Sequence, residues 1–194
     1  MAEHARTLRT RQRMFDAVLE LASERSIATV TATDVANRAG MHRTTFYEYA
    51  ESPVELLRRA LADELDILRE QHLRGGTAAE AAERVRRVTL GVLDHLERHA
   101  EVYRHLDDTE GSALQAFLSE HFQASSRMLL EQGALHVPGV AGQSPATVEA
   151  EAVRFVADGL VGAFAVWLRG PAPGDPEALL RVLDVLLPAW WPRA

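Results

Sequence analysis

Along this chain apolar residues recur with helical period, and no stretch alternates apolar with polar residues over the length of a strand. That property argues against a sheet-built architecture and predicts an all-α protein. In RQRMFDAVLELASERS, for example, Phe15, Val18, Leu19 and Ala22 stand at i, i+3, i+4 and i+7 and share one face of a first helix. Such faces need partners, because helices of this length are marginal in water unless packed. With 194 residues, 47% of them hydrophobic, the chain is long enough to bury a core in one domain or two small ones.

Breaks in the pattern mark where helices begin and end. Thr31 or Thr33 can cap a short second helix, Asp34 to Ala39, with Asp34 favourable at its positive end. Gly40 ends it, and a third helix runs from about Arg43 to Tyr49. Ser52 followed by Pro53 restarts the chain as a long fourth helix toward Arg74. Further breaks at DDTEGS, HVPGVAGQSP and RGPAPGDPE divide the remainder into helical blocks Ala78 to Leu106, with a possible break near Ala100, then Ala113 to Gln132, Thr147 to Leu168 and Pro176 to Leu187. The last two blocks are strongly apolar, and Gly159 and Gly162 would let a neighbour approach closely.

Charge is unevenly distributed. The net charge of −7 taken globally argues against nucleic acid, but Arg6, Arg9, Arg11 and Arg13 form a basic cluster at the start, and acids dominate from Leu61 onward. The absence of cysteine excludes disulfides and thiolate metal sites and fits a reducing cytoplasm. The N-terminus lacks an apolar signal core, and FVADGLVGAFAVWL is broken by Asp158 and too short for a bilayer. A cytoplasmic protein with no membrane partner is the expectation.

The stretch AGMHRTTFYEYA, from Ala39 to Ala50, is the most specific in the chain. Two short helices joined at Gly40, with a third in front, form a helix-turn-helix. Phe46 and Ala50 then face inward, and Arg43, Thr44 and Tyr47 face out. Arg43 can fork onto a guanine, Thr44 offers a hydroxyl and a methyl, and Thr33, Thr45, Tyr47 and Tyr49 are further candidates for DNA contact, with Arg9 and Arg11 behind them. The plainer alternative is a helical hairpin whose tyrosines fill a core.

The run TATDVANRAGMHRTTFYEYAESPVELL, led by RQRMFDAVLELASERSIATV, resembles the DNA-binding domain of the TetR (tetracycline repressor) family of bacterial transcription regulators. The match covers about the first 60 residues and includes Thr31, Thr33, Val35-Ala36, Ala39-Gly40, Thr45-Phe46-Tyr47 and Leu56. It departs at His42, where the family usually has serine, at Ala50, where it has phenylalanine, and at Pro53, where it has a phosphate-contacting lysine. The resemblance implies a helix-turn-helix domain over residues 1–51 and an all-helical effector-binding and dimerisation domain over 52–194. It also implies a homodimer on a palindromic double-stranded operator, released when a small-molecule effector binds the body; the two apolar C-terminal helices suit its four-helix interface. No cofactor is implied.

For the effector, His99, Tyr103, Phe117, His121, Phe164 and Trp167 combine polar and aromatic character among apolar neighbours, as pockets do and as ordinary cores with wet edges also do. His95 and His99 stand four apart, but HLERH lies among charges without HExxH or cysteine, so a solvated helix face is expected rather than a metal site. SEH at Ser119 to His121 places adjacent residues about 100° apart on a helix, which a catalytic triad does not tolerate. A non-enzymatic, ligand-responsive repressor is the leading reading. The alternative is an all-helical sequestering protein whose DNA-binding head has decayed, a reading that Ala50 and Pro53 would support.

Overall fold

In a computed structural model of the chain, residues 2–105, 108–169 and 174–192 are described, with the backbone alone for 2–5 and 108–114. Among the described residues the protein is all-helical: α1 (Ala2–Glu24), α2 (Ala32–Ala39), α3 (Arg43–Phe46), α4 (Pro53–Leu73), α5 (Ala81–Arg98), α6 (Ala100–Arg104), α7 (Asp108–Glu131), α8 (Pro145–Leu168) and α9 (Pro176–Leu186). Short 3-10 turns at Ile27–Thr29 and Ala78–Glu80 precede α2 and α5.

Most boundaries follow from local chemistry. Ser52 Oγ accepts from the Glu55 amide at 3.2 Å and starts α4 with Pro53 in its first turn, where a missing N–H costs nothing. Ser144 accepts from the Thr147 amide and Asp175 from the Glu177 amide, each followed by proline, to open α8 and α9. The expected break near Ala100 falls at His99, between α5 and α6. DDTEGS behaves differently from the expectation: residues 108–112 already belong to α7, because a run rich in acids is as good a helix start as a loop. Of the expected RGPAPGDPE break, residues 170–173 lie outside the described residues.

By internal contacts the chain forms two compact units, one from Met1–Glu64 with His99–Leu114 and one from Leu65–Arg98 with Gln115–Ala194. In the first, α1 packs on α2 and α6, and α2 packs on α3. Its interior is built from Met14, Phe15, Val18, Leu21, Val35, Phe46, Leu56 and Leu61. His105, which ends α6, sets its Nδ1 3.3 Å from the Ala22 carbonyl of α1.

In the second unit, Leu73, Val85, Leu129, Leu135, Val156 and Trp191 form one apolar cluster. Gly91 on α5 allows close approach to α4: a methyl there would stand 2.8 Å from Leu68 Cδ2. Arg84 is buried and donates to the Leu73 carbonyl at 3.0 Å and to Gln132 Oε1 at 3.1 Å. It thereby satisfies a carbonyl at the end of α4, where a cation is also favoured by the helix dipole.

Candidate functional site

The turn between α2 and α3 is fixed by both sides of its sequence. Thr31 is the cap of α2: its hydroxyl accepts from the Asp34 amide at 3.1 Å, and the Asp34 carboxylate accepts from the Thr31 amide at 3.0 Å. The bond from the Thr31 amide, followed by the Thr31 side chain and the Arg25 charge, holds the Asp34 carboxyl below the usual carboxylate range. Thr33 is thus relieved of capping and stands exposed in the first turn. At the other end Gly40 sits at φ 65°, and the Met41 amide donates back to the Ala36 carbonyl at 2.8 Å. A Cβ at Gly40 would meet Arg13 Nη2 at 2.7 Å, which a shift of that flexible side chain relieves, so it is the positive φ that favours glycine here.

Beyond the turn, α3 is one turn long and its faces divide sharply. Phe46 is fully buried and Ala50 is buried beside it, with the Ala50 amide donating to the Phe46 carbonyl at 3.1 Å. Arg43, Thr44 and Tyr47 are exposed, and Thr45 and Tyr49 are half-buried. Tyr47 caps α3 rather than extending it, with its ring edge-on to Phe46 at 5.3 Å. Arg43 Nη2 donates to the Tyr47 hydroxyl at 2.9 Å, and its guanidinium carbon lies 5.5 Å from the centre of that ring. The pair presents a cation and a phenol on one exposed surface.

The arginines around this surface fall into two groups. Arg11 pairs with Asp63 at 3.3 Å and lies over the Phe15 ring, Arg25 pairs with Asp34 at 3.0 Å, and Arg38 pairs with Glu24 at 2.9 Å and Glu20 at 3.1 Å. Arg9, Arg13 and Arg43 are exposed and have no carboxylate partner among the described residues. Arg13, which sequence reasoning left in the basic cluster without a site role, stands over the turn glycine. Its place there depends on how α1 crosses α2, which no local pattern encodes.

The six residues expected to meet an effector are not all brought together. His99 and Tyr103 belong to the first unit, where His99 Nε2 lies 3.0 Å from Glu64. His95, expected on a solvated helix face, is instead fully buried, on the face of α5 that also turns Val92 inward. Desolvation raises the Tyr103 phenol above its ordinary range. Trp167 donates its indole N–H to the Gly174 carbonyl at 3.1 Å, next to the start of α9. Phe117, His121 and Phe164 are buried in the second unit; the Phe122 ring lies 5.6 Å from Phe164 and 6.2 Å from His121, and Phe117 lies 6.4 Å from His121.

Of these, His121 and Phe164 line a cavity of ≈ 50 Å³ among α4, α5, α7 and α8, together with Phe122, Leu129 and Trp191. Its hydroxyls are directed at the backbone: Thr89 donates to the Val85 carbonyl, Ser125 to that of His121 and Ser126 to that of Phe122. His121 lies beside Arg69, at 3.3 Å, and Asp66, at 3.4 Å. Burial, followed by the neighbouring Arg69 charge, pushes its pKa down to about 4, so the ring is neutral near pH 7. The wall is therefore apolar with one neutral imidazole.

No protein-family model and no curated protein matches the sequence. Solved structures do match over nearly the whole chain. The dihydroxyacetone kinase operon activator DhaS aligns at a TM-score of 0.64 and 15% identity, over 92% of this chain and 94% of that one. A TetR-family repressor from Thermus thermophilus, FadR in complex with lauroyl-CoA, aligns at 0.58 and 24% identity over 91% and 93%. A TetR-family regulator from Streptomyces coelicolor aligns at 0.55 and 23% identity over 91% and 82%.

The fold is that of the TetR-family regulators. The likeness extends past the first 60 residues that carry the sequence resemblance and into the helical body, where sequence gives no such match. No helix among the described residues is long and apolar enough to cross a membrane.

Proposed function

We propose that the protein is a TetR-family transcriptional regulator, with residues 1–51 as its DNA-binding head and 52–194 as its effector-binding and dimerisation domain, acting in the cytoplasm as a ligand-released repressor. The observation that carries this reading is the exposed Arg43–Tyr47 pair on the helix after the Gly40 turn, flanked by the unneutralised Arg9 and Arg13. A helix so placed can enter a major groove with its first residues on base edges. Thr33, Thr44, Thr45 and Tyr49 add hydroxyls for phosphate or base contact, and Arg11 is held back by Asp63.

The homodimer rests on α8 and α9. Phe155, at 73% exposure, and Val166 lie outward on α8 with Gly159 and Gly162 between them, and among the described residues no atom beyond the helix's own adjacent backbone comes within 4 Å of a Cβ at either glycine. On α9, Val182, Val185 and Leu186 are likewise exposed, Val185 at 81%. Apolar stripes on two helices, with glycines set for close approach, suit a second copy of the same surface. Two-fold symmetry then presents two recognition helices to a palindromic operator.

An effector in the second unit would bias the dimer between two separations of those helices through α4, which runs from the head into the body's cavity wall. A coupling of about 1–3 kcal/mol corresponds to a roughly 5- to 150-fold change in operator affinity. The test is binding to the DNA flanking the gene at two salt concentrations, with competitor present. Saturable retention that weakens steeply with salt is expected, since phosphate neutralisation releases counterions. Arg43→Ala should relax preference at one base pair, with a loss of about 1–3 kcal/mol on the cognate site. Absence of binding across a random duplex library would overturn the reading in favour of a small-molecule sequestering protein.

A further inference from the structure

The cavity beside His121 is roughly tenfold smaller than the ~300–1,000 Å³ usual for a small-molecule site, so an occupant needs more room than it holds. A groove of ≈ 110 Å³ adjoins it, lined by residues of α5, α8 and α9. Val85, Thr89, Leu160 and Trp191 line both spaces. Three of the four sit on long helices. Trp191 is carried instead by the segment after α9, where the Trp191 amide closes a turn onto the Pro188 carbonyl at 2.9 Å. Its indole is buried in the apolar cluster of this unit, yet its backbone belongs to no helix.

The two spaces differ in chemistry. The inner one is apolar apart from the neutral His121, its hydroxyls being turned to the backbone. The groove adds the charged Arg86, Glu177, Arg181 and Asp184 to apolar residues such as Leu180, Leu183 and Leu187, with Arg86 ion-paired to Glu177. A molecule spanning both would place hydrocarbon inside and a polar end among these charges.

We propose that the inner cavity and the outer groove are two compartments of one binding channel stoppered by Trp191, and that its ligand is a slender molecule with an unbranched apolar chain and a polar end. Shifting the indole joins the compartments without separating helices, which makes it the cheapest route to a site of sufficient length. This rests on the reading of the body as the effector domain, but binding is measured here without DNA.

The experiment is calorimetric titration of the full chain with n-alkanols from butanol to dodecanol. If the channel is continuous, affinity rises by about fourfold per added methylene well past the length the inner cavity can hold. Trp191→Ala should tighten decanol by more than about tenfold, equivalent to roughly two further buried methylenes, and leave butanol nearly unchanged. Trp191→Phe, which keeps most of the packing, should move decanol in the same direction by less, and covers the case in which the alanine variant does not fold. Thr89→Phe, which adds bulk to the lining shared by both spaces, should flatten the series early. A wild-type series that flattens early, equal effects of Trp191→Ala and Trp191→Phe on butanol and decanol, or no alkanol binding would each overturn the channel. Failure of operator binding with a continuous alkanol series would sink the repressor reading alone.

Discussion

The two ends of this chain are built on opposite principles. In α2 and α3 nearly every residue answers to its immediate neighbours: Thr31 and Asp34 cap each other, Gly40 turns the chain, Phe46 is buried and Arg43 lies against Tyr47. In α8 and α9 local rules set only the ends. Their sides carry Phe155, Val166, Val185 and Leu186 into solvent, which no rule within one chain explains. The lesson is that a helix's own sequence can specify its ends and its inward face, whereas an apolar outward face makes sense only through whatever covers it.

The sharpest way to break that contrast is at the centre of the head. Phe46→Ala should destabilise the protein by about 3–5 kcal/mol, since a fully buried phenylalanine leaves a cavity that its neighbours only partly fill. Chemical denaturation measures this, and a loss below 1 kcal/mol would mean that the head is not packed around α3. At the other end, Phe155→Glu should leave the monomer's stability nearly intact, because the ring is exposed, and weaken self-association by about 3 kcal/mol or roughly a hundredfold. Sedimentation equilibrium decides it. Unchanged association would place the dimer contact elsewhere.

A third test separates the units by pH. The His121 pKa is pushed down to about 4 from 6.5, so below 6.5 the unfolded chain takes up a proton that the folded chain refuses until about pH 4. Stability is therefore fully present above pH 6.5 and declines by about 3 kcal/mol through that window, at 1.36 kcal/mol per unit. His121→Asn should remove most of that slope in denaturation curves taken across the range. The smallest effect belongs to the cap: Thr31→Ala should cost about 1 kcal/mol near neutrality. Asp34, whose carboxyl is held low, contributes above pH 3.8 and ceases to as pH falls, so the difference between wild type and Thr31→Ala should shrink in acid. A difference independent of pH would show that the Asp34 half of the box is idle.

Individual residues show where legibility in the sequence stopped. The helix class, the Gly40 turn and the Ser52-Pro53 restart were readable because each depends on contacts within a few residues. Thr31 and Thr33 were equally plausible caps on paper, and only the backbone entering α2 selected Thr31. Arg9 and Arg11 looked equivalent as well, until Asp63, distant in sequence, paired with Arg11. His99 and His121 both read as pocket histidines, yet they lie in different compact units.

The sequence by itself determined an all-helical chain with a basic start, a helix-turn-helix and two apolar final helices, because periodicity, caps and glycines act over one or two helical turns. Only the tertiary structure decided which arginines are left without carboxylate partners, that Arg13 stands over the turn, that His121 and Phe164 share a cavity, and that Trp191 lines both that cavity and a groove. Those facts depend on contacts between residues far apart in the chain. Their free energy comes from packing and charge pairing that no local pattern records.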